Sequence, residues 1–223
     1  MDGAYAVYAD EPPTGFDVVE AQPVREGWED AWRAFHHGVV VGRLWIGPPW
    51  EQPPSGVTAI VVDPGRAFGT GAHPTTRLSL ELLQELTPSS LLRGVELADQ
   101  ASLLDVGCGS GVLSIAAAKL GFAPVNGVDV DDAAVEATLA NARANGVAVE
   151  VSRADALTDE LPAAEVAVAN IALDVVEALA PQLDTRLLVT SGYLERDEPQ
   201  LADWRRRDRR TRDGWAAHLF ERA

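Results

Sequence analysis

The string Leu103-Leu104-Asp105-Val106-Gly107-Cys108-Gly109-Ser110-Gly111 could hold a ligand by its backbone. Glycines are needed where a chain turns sharply and a ligand must approach without meeting a Cβ. A helix opening straight afterwards offers unpaired N–H groups to polar ligand atoms. The spacing narrows the ligand. A dinucleotide fingerprint needs its third glycine five positions after the first, and Val112 stands there; the Lys-Ser/Thr ending of a phosphate-cradling loop is also missing. Asp129 follows Gly127-Val128, 22 residues beyond Gly107. A carboxylate at that strand tip is placed to accept both hydroxyls of an adenosine ribose; the plainer alternative is that it caps a helix beginning near Asp131-Asp132. Adenosine without pyrophosphate points to S-adenosylmethionine.

These groups need a scaffold, and from residue 100 the chain supplies a regular alternation. Short β-rich runs lie at Ser102–Val106, Val125–Asp129, Val147–Ser152, Glu165–Ala169 and Arg186–Thr190. Ala/Leu-rich helical stretches separate or follow them at Val112–Leu120, Asp132–Asn145, Leu173–Gln182 and Glu195–Arg206. That order predicts right-handed crossovers and a doubly wound α/β fold, a mostly parallel sheet with helices on both faces. The tail from Arg212 to Arg222 has no room for another crossover and reads as an antiparallel hairpin edge. Upstream, Trp28, Ala31, Trp32 and Phe35 recur at helical spacing, Val39–Ile46 reads as one strand, and Val57–Val62 as another after the Pro53-Pro54 connector. The expected division is an N-terminal extension over 1–54 and a catalytic domain over 55–223.

Composition removes several function classes. The 223 residues are 47% apolar and 23% charged, the balance of a folded protein. A single cysteine, Cys108, excludes a disulfide framework and a Cys-based zinc site, so no metal is expected. Between two glycines, without a basic partner, it reads as a small packed residue. No apolar run is long enough for a membrane span, and the start lacks the order of a signal peptide, which predicts a cytoplasmic protein. The net charge of −16 argues against nonspecific nucleic-acid binding. One stretch differs: Arg205, Arg206, Arg207, Arg209, Arg210 and Arg212 stand against Asp208 alone. It reads as a solvated helix end neutralised by nearby carboxylates, with a docking patch for RNA or an acidic protein as the alternative.

A longer string sits upstream: Asp63-Pro64-Gly65-Arg66-Ala67-Phe68-Gly69-Thr70-Gly71-Ala72-His73-Pro74-Thr75-Thr76. Together with Asp105–Gly111, Ala169-Asn170-Ile171-Ala172-Leu173, Arg43-Leu44-Trp45-Ile46 and Ser191-Gly192-Tyr193-Leu194-Glu195, it closely resembles the PrmA family. Those enzymes use S-adenosylmethionine to methylate amino groups of ribosomal protein L11, on a class I methyltransferase fold. The resemblance implies cofactor contacts at Thr76, Gly107, Asp129 and Asn170, with Asp105, Gly109 and Gly111 completing the glycine loop. It also implies a lid over the methionine end from Phe68, Gly69, Thr70 and Gly71. Two glycines flanking Thr70 suit a tight turn, and Thr75-Thr76 can cap the next helix while offering hydroxyls. Asn170 ends the fourth strand, where its amide oxygen could accept hydrogen bonds from an attacking nitrogen and aim the lone pair. The attacking amine must be neutral; His73 is a candidate base, with a structural role competing.

One departure from the family is expected to matter. PrmA enzymes normally carry a complete N-terminal domain that grips the ribosomal protein, and about 27 residues precede the Trp28 helix here. Ribosomal protein L11 is the first expected substrate, another protein lysine or a small amine the second. A noncatalytic cofactor-binding module and a nicotinamide-dependent oxidoreductase are the competing classes, the latter opposed by the glycine spacing.

Overall fold

The computed structural model describes residues 36–63, 71–86 and 100–223. Residues His36–Ala223 belong to one compact unit. The helix expected around Trp28–Phe35, and Phe68, Gly69 and Thr70, lie outside the described residues.

A small sheet comes first, made of β1 (Val39–Val41), β2 (Leu44–Gly47) and β3 (Thr58–Val61) in that order. The single strand expected over Val39–Ile46 is in fact two. The chain turns at Gly42-Arg43 and pairs back on itself, Val41 opposite Leu44, which carries Leu44 and Ile46 into the core. β2 then pairs in parallel with β3, so this ladder joins residues on either side of the expected 54/55 division.

The second sheet has seven strands. In chain order the elements are α1 (Pro74–Glu85), β4 (Leu103–Val106), α2 (Val112–Leu120), β5 (Val125–Asp129), α3 (Asp132–Ala144), β6 (Glu150–Arg153), β7 (Ala164–Asn170), α4 (Leu173–Leu179), β8 (Thr185–Leu194), β9 (Trp204–Arg212) and β10 (Trp215–Arg222). The sheet order is β6-β5-β4-β7-β8-β10-β9. The first five are parallel and the last two antiparallel, which is the doubly wound sheet with a hairpin edge that the sequence predicts.

Period-two side-chain alternation divides the core between the faces. Leu103, Val166, Val168, Leu187 and Val189 pack with the buried leucines of α1 and with Ile115 and Ala116 of α2. Leu104, Ala167, Ala169 and Leu188 pack on the other side with Val176 and Leu179 of α4. The order in which the chain adds strands reverses at β4, with β5 and β6 on one side and β7 and β8 on the other, and the carboxyl ends flanking that point leave a crevice.

The arginine run is a strand and not the helix expected over Glu195–Arg206. In a helix these side chains would stack as like-charge neighbours three and four residues apart. Pro199 also interrupts that stretch. As β9 the run spreads its charges over carboxylates of several other segments. Arg206 and Arg209 meet Glu198, Arg207 meets Glu221, and Arg210 and Arg212 meet Glu81 of α1, Arg210 also reaching Glu85. Neutralisation by nearby carboxylates therefore holds, on a strand. The β9–β10 turn is Asp213-Gly214, both with positive φ, as a two-residue hairpin requires. Among the described residues no helix is long and apolar enough to cross a membrane.

Candidate active site

The crevice is a cavity of about 470 Å³ at the carboxyl ends of β4, β5, β6 and β7. Its floor is the glycine loop, Gly107 to Gly109, with Val112 and Leu113 of α2 beside it. Gly107 has φ +72, and a Cβ there would stand 2.6 Å from Cγ2 of Ile171, which also lines the cavity. A side chain at 107 would be strained and would push the loop away from the strand beside it.

Asp129 projects from the tip of β5 into the cavity wall between Val128 and Val130. Its Oδ2 accepts from the Gly109 amide at 3.0 Å and its Oδ1 from the Asp131 amide at 3.0 Å. The capping of α3 belongs to Asp131, whose side chain accepts from the Ala133 amide at 2.9 Å. Asp129 is thus held by the glycine loop itself, which fixes a carboxylate against the ligand space.

Asn170 and Thr76 face the same space from the other side. The Asn170 amide nitrogen donates to the Thr76 hydroxyl at 3.3 Å, tying the end of β7 to the first turn of α1. Their juxtaposition, across 94 residues of sequence, places a hydroxyl and an amide oxygen at one end of the cavity and the Asp129 carboxylate elsewhere on its wall. Val130, Asp155 and Leu157 also line it. None of the three was singled out from sequence, although every carboxyl end of a parallel strand beside the switch point is a lining candidate and β6 ends at Arg153.

Other expected site residues sit elsewhere. Asp105 is buried under the loop and does not line the cavity. Its Oδ2 accepts from the Ser114 amide at 3.0 Å and the Ser114 hydroxyl at 2.6 Å, which pins α2 to β4. Burial pushes its carboxyl up to about 6 despite those bonds. Gly111 precedes α2 with φ +80 and is likewise outside the lining. Gly71 is buried and abuts Ile46 of β2. His73 is the N-cap of α1: its Nδ1 lies 2.7 Å from the Thr75 hydroxyl, and its ring packs edge-on against Trp215, centroids 4.8 Å apart. Desolvation lowers its pKa, and it does not line the cavity. Cys108 does line the cavity, and its thiol is pushed up to about 12, chiefly by burial and then by the Asp105 carboxylate, which disfavours the thiolate.

The lining tests which ligand fits. Among the described residues it holds two carboxylates, Asp129 and Asp155, and no lysine or arginine. A pyrophosphate would meet uncompensated negative charge there. A ligand with hydroxyls for Asp129, an apolar ring for the valine and leucine walls, and a positive centre suits the donor set. No group of three or more His, Cys, Asp or Glu side chains placed to hold a metal ion occurs among the described residues.

Comparison with known proteins adds the family. A family model described as ribosomal protein L11 methyltransferase (PrmA) matches residues 12–217. The ribosomal protein L11 methyltransferase of Shewanella sp. (strain ANA-3) is 40% identical over 187 residues, covering 79% of this chain and 60% of that protein. Its counterpart in Pelobacter propionicus (strain DSM 2379 / NBRC 103807 / OttBd1) is 39% identical over 213 residues, 89% of this chain and 67% of that one. The crystal structure of a ribosomal protein L11 methylase from Lactobacillus delbrueckii subsp. bulgaricus superposes with a TM-score of 0.72 at 27% identity, covering 83% of this chain and 98% of that chain. The chain spans about 60% of the length of the Shewanella relative.

Proposed function

Because the chain belongs to the ribosomal protein L11 methyltransferase (PrmA) family, with its class I methyltransferase fold, we propose that it transfers a methyl group from S-adenosylmethionine to an amino nitrogen of ribosomal protein L11. The observation that carries this reading is one cavity walled by the Asp129 carboxylate and the Asn170 amide, without a basic residue among those described.

When bound, S-adenosylmethionine supplies a methyl carbon activated by a cationic sulfonium. Asp129 would hold the ribose hydroxyls, its own position fixed by the Gly109 amide. The backbone of Gly107 to Gly109 lets the ligand lie close to the sheet. Asn170 has its amide nitrogen engaged on Thr76, which leaves its oxygen to accept a hydrogen bond from the incoming amine and turn the nitrogen lone pair toward the methyl carbon. Apolar walls from Val106, Val112, Leu113 and Ile171 exclude water from the transfer. With His73 occupied as a helix cap, the proton of a lysine ammonium is lost to solvent before transfer. A ribosomal target places the reaction in the cytoplasm.

Labelled methyl transfer to purified ribosomal protein L11, run beside a methyl-deficient lysate, tests the proposal. Label in the purified protein supports it; label confined to another component makes the target a different protein amine. Binding of S-adenosylhomocysteine without turnover on any component would leave a noncatalytic module.

A further inference from the structure

One face of α3 carries a stripe that the site as described does not use. Thr138, Asn141 and Asn145 follow at spacings of three and four, so they share a side of the helix, Asn145 being its C-cap. Thr138 and Asn141 are buried. Buried polar side chains cost stability unless their hydrogen bonds are made, and what these three bind changes along the stripe. Thr138 reaches the glycine loop: its hydroxyl donates to the Gly109 carbonyl at 2.9 Å. Asn145 reaches β3: its Oδ1 accepts from the Val61 amide at 2.9 Å and its Nδ2 donates to the Val61 carbonyl at 2.6 Å, the pair of bonds another strand would supply. Asn141, between them, does both. Its Nδ2 donates to the Ser110 carbonyl at 2.8 Å, and its Oδ1 accepts from the Asp63 amide at 3.2 Å.

We propose that Asn141 is a positioning residue that couples the cofactor loop to the end of β3. One amide group joins two backbone segments that have no ladder with each other. Asp63 begins the connection that leads to α1, whose Thr76 lines the cavity and receives Asn170. A ligand that orders Gly109 and Ser110 therefore also orders Asp63, through the one amide group that holds both backbones. This rests on the reading of the cavity as an S-adenosylmethionine site.

The test uses S-adenosylhomocysteine as probe on the full chain, with residue-resolved amide exchange and binding measured together. In the wild type, saturating ligand should slow exchange at the Asp63 amide along with that of Gly109. Asn141→Ala should raise the dissociation constant about tenfold, the effect of losing one buried hydrogen bond, and abolish the slowing at Asp63. Asn145→Ala serves as the comparison, since it removes bonds to β3 and to the Asn141 carbonyl and none to the glycine loop; it should lower the unfolding midpoint and leave the dissociation constant within about twofold of wild type. A merely structural Asn141 would behave like Asn145. Unchanged Asp63 exchange in a wild type that binds the ligand, or an Asn141→Ala protein that binds as tightly as wild type, overturns the coupling. A wild type that does not bind overturns the cofactor reading, and the coupling with it.

Discussion

At the scale of single residues, two side chains divide the work of the cavity. On the proposed reading Asp129 anchors a ribose, so Asp129→Ala should abolish most of the stabilisation that S-adenosylhomocysteine confers. That stabilisation is about 2.7 kcal/mol at a hundredfold excess over the dissociation constant, and a thermal-shift titration reads it directly. An unchanged shift would place the ribose elsewhere. On the same reading Asn170 aims the attacking nitrogen, so Asn170→Ala should lower turnover roughly a hundredfold while moving ligand affinity little. Equal losses in both would make it a binding residue only. The glycine spacing and the offset to Asp129 made this end of the site legible in the sequence, because both follow from one strand–turn–helix unit. Asp105 was harder to place. A carboxylate before a glycine loop can face the ligand or the helix behind it, and only the close approach of Ser114 decides the matter.

At the scale of elements, the antiparallel pair β8 and β10 holds the less visible constraints. Gly192 in β8 has φ +105, and a Cβ there would lie 2.2 Å from the Ile171 carbonyl oxygen. Gly192→Ala should displace the turn after Asn170, costing about 1–3 kcal/mol of stability together with turnover, measured by denaturant unfolding and initial rates. His218 on β10 is fully buried, with Nδ1 2.8 Å from the Tyr193 hydroxyl, which in turn lies 2.7 Å from Thr190 Oγ1. Burial pushes His218 down to about 4 from 6.5, although Glu198, 3.8 Å from its Nε2, acts to raise it and Arg209 and Arg206 act to lower it. The unfolded chain takes up this proton near pH 6.5 and the fold refuses it until about pH 4. Stability from His218 is therefore complete above 6.5, and about 3 kcal/mol is lost as pH falls through that window. Asp105 works in the opposite sense: its raised pKa favours the fold below 3.8 and loses that advantage as pH rises to about 6. Comparing wild type with His218→Gln cancels the Asp105 contribution. Between pH 7.5 and 4.5 the wild type should lose more unfolding free energy than the variant, and parallel losses would show that His218 does not titrate there.

At the scale of the whole molecule, the order of elements was readable and their edges were not. Strand–helix alternation from residue 100 led directly to the parallel half, with α2 and β5 matching their expected ends, because amphipathic period and crossover length are local properties. The region from Glu195 onward misled for a physical reason. Arginine is a good helix former taken singly, whereas six nearly consecutive ones depend on where carboxylates from α1, β10 and the loop before β9 happen to stand. The small sheet was hidden in another way: β3 is met at Val61 by the side chain of Asn145, the C-cap of α3, which no strand pattern reveals. Net charge is equally uneven. The chain is strongly acidic, yet its basic side chains gather on β9, at one end of the seven-stranded sheet.

That gathering bears on what the protein does in a crowded solution. Among the described residues no strand pairs with the outer side of β9, so its amides and carbonyls are a template onto which another molecule could polymerise. Five of its arginines are already engaged by glutamates of this same chain, so a second strand laid along it would have to compete with those pairs. The opposite margin, β6, is four residues long and offers little to extend. One border is thus too short to seed a neighbour, and the other is crowded by side chains already committed within the chain.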